Sequence, residues 1–153
     1  MKKRGQRKAA RIILRLNTAT ERAKAIRSVI PQDPLARVAL IREGIKKRQV
    51  LQLREAMNVG SAEFAQLLNV DQKTISLKTQ SDRFNPRVTE RALEMARVYE
   101  LGLSVFNDQD KFYSWLQKPL SQFQGKTPYS FLDTNEGAEL VENALLRIEH
   151  GVY

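Results

Sequence analysis

The chain has 153 residues, 42% of them apolar, with five prolines and a formal net charge of +9. That size and apolar share suffice for a real buried core and exclude a disordered chain. The absence of cysteine rules out disulfides and thiolate metal sites, and a single histidine argues against a His-based metal centre.

The first segment, residues 1–33, is strongly basic. Lys2, Lys3, Arg4, Arg7, Lys8, Arg11 and Arg15 all precede the first acidic residue. The head MKKRGQRKAARIIL resembles the start of a signal peptide, but Arg15 cuts the apolar run short, so no secretory leader is expected. Residues 1–60 hold 16 Lys/Arg against 4 Asp/Glu, a net +12, whereas residues 99–153 hold 4 against 8, a net −4. A basic front and an acidic rear suggest two jobs, with a polyanion as the partner in front. Lys2, Lys3 and Arg4 are candidate phosphate contacts; a plain solvated tail is the bland alternative.

Residues 7–29 are compatible with one or two short helices. Asp33-Pro34 pairs an N-cap with proline at the first helical position, and the helix it opens runs to about Glu43, where Gly44 fits the C-terminal stop. Another helix spans Lys46–Met57, with Val50, Leu51 and Leu53 inward.

The stretch GSAEFAQLLNVDQKTIS, residues 60–76, is the most informative. Ser61 is a good N-cap and Glu63 suits the helix dipole. Phe64, Leu67 and Leu68 form an inward face, while Ala65 is small enough for a second helix to approach. Asn69 accepts the left-handed conformation that ends a helix, Val70 plugs the turn, Asp71 caps the next helix and Ile75 anchors it. Helix, short turn, second helix is the helix-turn-helix arrangement. Its second helix enters the major groove, so Gln72, Lys73, Thr74, Ser76 and Lys78 are the candidate DNA-reading residues. Leu77 is apolar on a face that should be polar; it either touches a thymine methyl or packs inside.

Asn85-Pro86 repeats the cap-plus-proline device and opens a long helix to about Phe106, buried along Val88, Ala92, Met95, Tyr99, Gly102 and Phe106. Asn107-Asp108 breaks it. A short helix over Asp110–Leu116 ends before Pro119, and Tyr113 and Trp115 on it read as packing residues. Thr127-Pro128 starts a short turn to Leu132. Asp133 is expected to cap the last helix, with Glu136 completing the box, and Ala138, Val141, Leu145, Ile148 and Val152 line its inner side. No stretch alternates with period two, so the fold class is all-α.

At this point the order of pieces is familiar. Residues 46–84 resemble the Xre-type helix-turn-helix. Trp115-Leu116 before Pro119, Gly125-Lys126-Thr127-Pro128, Phe131-Leu132-Asp133-Thr134, Gly137 and the final Arg147–Tyr153 resemble the toxin-binding domain of the Xre/MbcA/ParS antitoxins. The basic segment over residues 1–33 is not part of the resemblance, which covers roughly residues 35–153 and implies a helix-turn-helix domain over 34–85 and a small helical toxin-binding domain over 86–153. It further implies a cytoplasmic type II antitoxin that blocks a RES-domain, NAD-degrading toxin and represses its own operon as a homodimer or in a hetero-oligomer with the toxin. The competing reading is a stand-alone helix-turn-helix regulator whose C-terminal half only dimerises. No enzyme is expected, because no convergent acid–base or nucleophile set is visible, and neither a cofactor nor a membrane is expected as partner.

The candidate toxin contacts are Arg147, Glu149, His150, Gly151, Val152 and Tyr153. Gly151 is the expected left-handed stop of the last helix, with His150 favourable against its dipole. Val152 is expected to continue the inner stripe, leaving Tyr153 to reach the partner.

Overall fold

The computed structural model describes residues 18–152. Lys2, Lys3, Arg4 and Tyr153 therefore lie outside the described residues. Within them are eight α-helices, two 3-10 turns and no strand, so the chain is all-α. In chain order the helices are α1 (Ala19–Val29), α2 (Pro34–Glu43), α3 (Lys47–Met57), α4 (Ser61–Leu67), α5 (Gln72–Ser76), α6 (Pro86–Phe106), α7 (Gln109–Leu116) and α8 (Asn135–Glu149). None is long and apolar enough to cross a membrane.

Most boundaries follow from local chemistry. Thr18, Asp33, Asn85 and Asp108 each accept, through the side chain, a backbone N–H from the first turn of the helix they precede. Gly44 closes α2 with φ +93 and donates to the carbonyl of Leu40 at 2.7 Å. A Cβ there would run into the backbone of Phe84, so the position requires glycine for room as well as for conformation.

Two expected caps shift by one residue. Helix α4 starts from Gly60, not from Ser61, and the Ser61 hydroxyl instead accepts from the Arg54 guanidinium of α3. Helix α8 starts from Thr134, not Asp133: Thr134 Oγ1 accepts from Gly137 N at 3.0 Å. Gly137 packs against the Phe131 carbonyl so closely that no side chain fits, and that approach sets where the helix begins. Asp71 does occupy the cap position of α5, but its side chain makes no capping hydrogen bond.

Helix α6 is the spine. Ala92, Met95, Ala96, Val98, Tyr99 and Leu103 are buried along it, and α1 and α8 pack on it. Ala23 and Ile26 of α1, and Ala138, Val141 and Leu145 of α8, belong to one continuous apolar core. Burying a single large aliphatic side chain of this kind contributes about 1.5–3 kcal/mol. Tyr99 meets the Phe112 ring edge-on at 5.6 Å, and Gly102 leaves the space that this ring fills. The Tyr113 hydroxyl donates to the carbonyl of Met57, tying α7 to the end of α3.

Candidate nucleic-acid and partner interfaces

The first candidate surface is built on α4 and α5. Phe64, Leu67 and Leu68 are buried, Asn69 turns the chain with φ +56, and Ile75 is the one buried residue of α5. With a single anchor, a five-residue helix has little stability of its own. Its far end is held instead by Lys47, whose Nζ donates to the carbonyls of Ser76 at 3.2 Å and Lys78 at 2.6 Å. A cation on the last carbonyls is the favourable charge for a helix C-terminus.

Gln72, Lys73, Thr74 and Ser76 are all exposed on α5. Leu77 is 82% exposed just beyond them, which settles that it is not packed inside. Lys78 differs from its neighbours: its Nζ donates to the Arg83 carbonyl at 3.0 Å and sits 5.0 Å from the centre of the Phe84 ring. It therefore holds the loop between α5 and α6 in shape. Asp82 braces the same loop by accepting the Thr79 N–H at 2.8 Å, and that bond keeps its carboxyl below the usual range.

Sequence reasoning passed over Lys47 and Arg54. Both line, with Gln72, Lys73 and Ser76, a groove beside α5. Their partners lie 7 to 31 residues away in the chain, so no local pattern announces them.

The second candidate surface is the end of α8. The His150 N–H donates to Leu146 O at 3.0 Å, Gly151 takes φ +70 and donates to Ile148 O at 3.0 Å, and Val152 donates to Arg147 O at 2.8 Å. This pair of closing bonds is a Schellman stop. It holds Arg147, Glu149, His150, Gly151 and Val152 at an ordered, solvent-facing helix end. Val152 does not continue the buried stripe as expected: it is 59% exposed, because the left-handed turn at Gly151 carries the chain off the inner face. It forms instead the rim of an apolar groove with Phe106, Trp115, Leu120 and Ile148. A second hollow, lined by Phe123, Phe131, Leu140 and Asn143, lies on the other side of Arg147.

Fold and surfaces together define a helix-turn-helix protein whose long sixth helix also carries a second helical module. Residues 36–97 match the family model of the antitoxin Xre-like helix-turn-helix domain, and residues 101–151 match the antitoxin Xre/MbcA/ParS C-terminal toxin-binding domain. The chain is 28% identical over 116 residues to antitoxin Xre of Photorhabdus laumondii, covering 74% of this chain and 78% of the relative. It is 26% identical over 139 residues to the Prs ADP-ribosylating antitoxin of a Sphingobium species, covering 84% and 87%. Antitoxin Xre of Pseudomonas putida is 33% identical over 79 residues, half of each chain. The chain belongs to the Xre/MbcA/ParS antitoxin family, antitoxins of type II toxin–antitoxin pairs. Its two family matches meet inside α6, at residues 97–101.

Proposed function

We propose that this protein neutralises a RES-type, NAD-degrading toxin through the end of α8 and represses its own operon by laying α5 in the major groove, as a homodimer. DNA binding falls to residues 34–85 and toxin binding to residues 86–153. The observation that carries the toxin half is the Schellman stop. It presents Arg147, Glu149 and His150 as a rigid helix end beside an apolar groove, within the module that matches the toxin-binding family. A pre-ordered end loses little conformational entropy on docking. The name of the Sphingobium relative couples an antitoxin to ADP-ribosylation, which supports a toxin acting on an ADP-ribose donor such as NAD.

On the DNA side, Gln72, Lys73, Thr74 and Ser76 supply base- and phosphate-directed groups, with Lys2, Lys3 and Arg4 as further phosphate contacts. The test is co-expression with a RES-domain toxin, scored by rescue of growth and cellular NAD. Removing residues 150–153 together with Arg147→Glu leaves the buried Ala144 and Leu145 in place. That variant should lose rescue and keep binding to operator duplex. Full rescue by it would overturn the assigned toxin contacts. Absence of rescue by the wild-type protein, with dimerisation lost in the variant, would favour a stand-alone regulator.

A further inference from the structure

Arg91 is only 4% exposed, yet none of the three ion pairs among the described residues includes it. Its Nε donates to the Leu67 carbonyl at 2.7 Å and its Nη1 to Asn135 Oδ1 at 3.1 Å. Its Nη2 has no partner. A buried guanidinium with neither counter-ion nor a full set of acceptors is costly, because water no longer solvates its charge. Such a group persists where something else supplies the missing acceptor.

The surroundings of Arg91 indicate what that acceptor is. It lines a cavity of about 440 Å³ where three pieces of chain meet. Leu68, Asn69 and Val70 come from the helix-turn-helix turn, Arg87 from the first turn of α6, and Thr134 and Asn135 from the start of α8. The fifteen-residue α8 points its N-terminus here. Thr134 satisfies the N–H of Gly137, and the N–H groups of Asn135 and Glu136 have no backbone acceptor. These are the donors a helix leaves free at the positive end of its dipole. Arg91 with its orphan Nη2, the first turn of α8 and the exposed Arg87 border the same cavity.

We propose that this junction is an anion site that takes a tetrahedral phosphate group. One phosphate offers several oxygens at diverging angles, so it can meet the guanidinium and the helix N–H groups together. Glu90 and Asp133 also border the cavity. Both are exposed and neither lies within ion-pairing distance of Arg91; Asp133 and, from the same helix, Glu94 offset its charge only at longer range, and burial still pulls the guanidinium below its usual value. Two sources share this chemistry: a free phosphate or nucleotide, and a backbone phosphate of DNA reaching the helix-turn-helix turn. The site does not depend on the toxin assignment.

The decisive variant is Asn135→Asp. It keeps the acceptor for Arg91 Nη1, adds a carboxylate favourable at the first turn of α8, and so occupies the site from within without emptying the core. The full-length protein is titrated with inorganic phosphate at ionic strength balanced by chloride, following backbone amide and Arg Nε–H signals by NMR. Wild type should show saturable shifts at Asn135, Glu136 and Arg91. Asn135→Asp should bind phosphate at least about tenfold more weakly while unfolding at the same or a higher temperature. Equal shifts with chloride alone, or undiminished phosphate binding by Asn135→Asp, would overturn the site. A second arm measures operator duplex. If the phosphate belongs to DNA, Asn135→Asp weakens the duplex complex and lowers its salt slope by about one. If the ligand is free, duplex binding is unchanged while the phosphate titration still saturates in wild type.

Discussion

The Nζ of Lys47 donates to the carbonyl oxygen of Lys78 at 2.6 Å, so a side chain from α3 closes the second helix of the helix-turn-helix, the one proposed to face DNA. Helix α5 has five residues and one buried anchor, Ile75, and this cation fixes its other end. Lys47→Met keeps the aliphatic stem and removes the donor. The expected cost is about 1 kcal/mol of stability, read as a lower denaturant midpoint, and about fivefold in operator affinity. An unchanged affinity would show that α5 holds its shape without Lys47.

Lys73 and Lys78 look alike in sequence but not in the fold. Lys73 is exposed on α5, whereas Lys78 bonds the Arg83 carbonyl and covers the Phe84 ring. Lys73→Glu should therefore weaken operator binding and reduce its salt dependence while leaving the unfolding transition within about 0.5 kcal/mol of wild type. Lys78→Glu should lower stability as well, by about 1 kcal/mol, because it loses the cation–π contact and the bond that shapes the loop. Gel shifts at two salt concentrations and urea unfolding separate the two effects.

The same contrast explains what was legible beforehand. Asp33-Pro34, Gly44, Asn69, Asn85-Pro86 and Thr127-Pro128 act on chain within a few residues, so their local patterns fixed helix ends and turn correctly. The helix-turn-helix was legible because Phe64, Ala65, Leu67, Leu68 and Ile75 carry its inward face. What stayed hidden depends on partners far along the chain: Lys47 with Lys78, Arg91 with Leu67 and Asn135, Tyr113 with Met57. At 133–134 two adjacent residues were both competent caps. The choice fell to Thr134 because a distant steric demand, Gly137 against Phe131, sets the register.

That demand gives its own prediction. A methyl group at position 137 would overlap the Phe131 carbonyl, backbone that cannot rotate away. Although alanine is the better helix former, Gly137→Ala should destabilise the protein by about 1–3 kcal/mol. Thermal unfolding should show it, together with altered near-UV signals from the Trp115, Phe123 and Phe131 cluster. A gain in stability would mean that the start of α8 can move aside.

Glu142 supplies a dependence on pH. It projects from α8 toward Glu94 of α6, its Oε1 is buried without a hydrogen bond, and burial with repulsion from Glu94 and Glu139 pushes its pKa up to about 7. Arg97 offsets this only in part, since it already leans toward Glu94 at 3.9 Å. The folded state thus holds this proton more tightly than the unfolded chain, whose carboxyl titrates near 4.5. The protonated form lends its stability below pH 4.5, and that contribution is lost as pH rises through about 7. Glu142→Gln keeps the neutral shape at every pH. It should match wild type at pH 4.5 and exceed it at pH 8 by about 1–2 kcal/mol, the full shift being discounted for the solvent that reaches this half-buried group. Urea midpoints at the two pH values check it: an advantage for Gln that fails to grow with pH would mean that Glu142 is already ionised and paired.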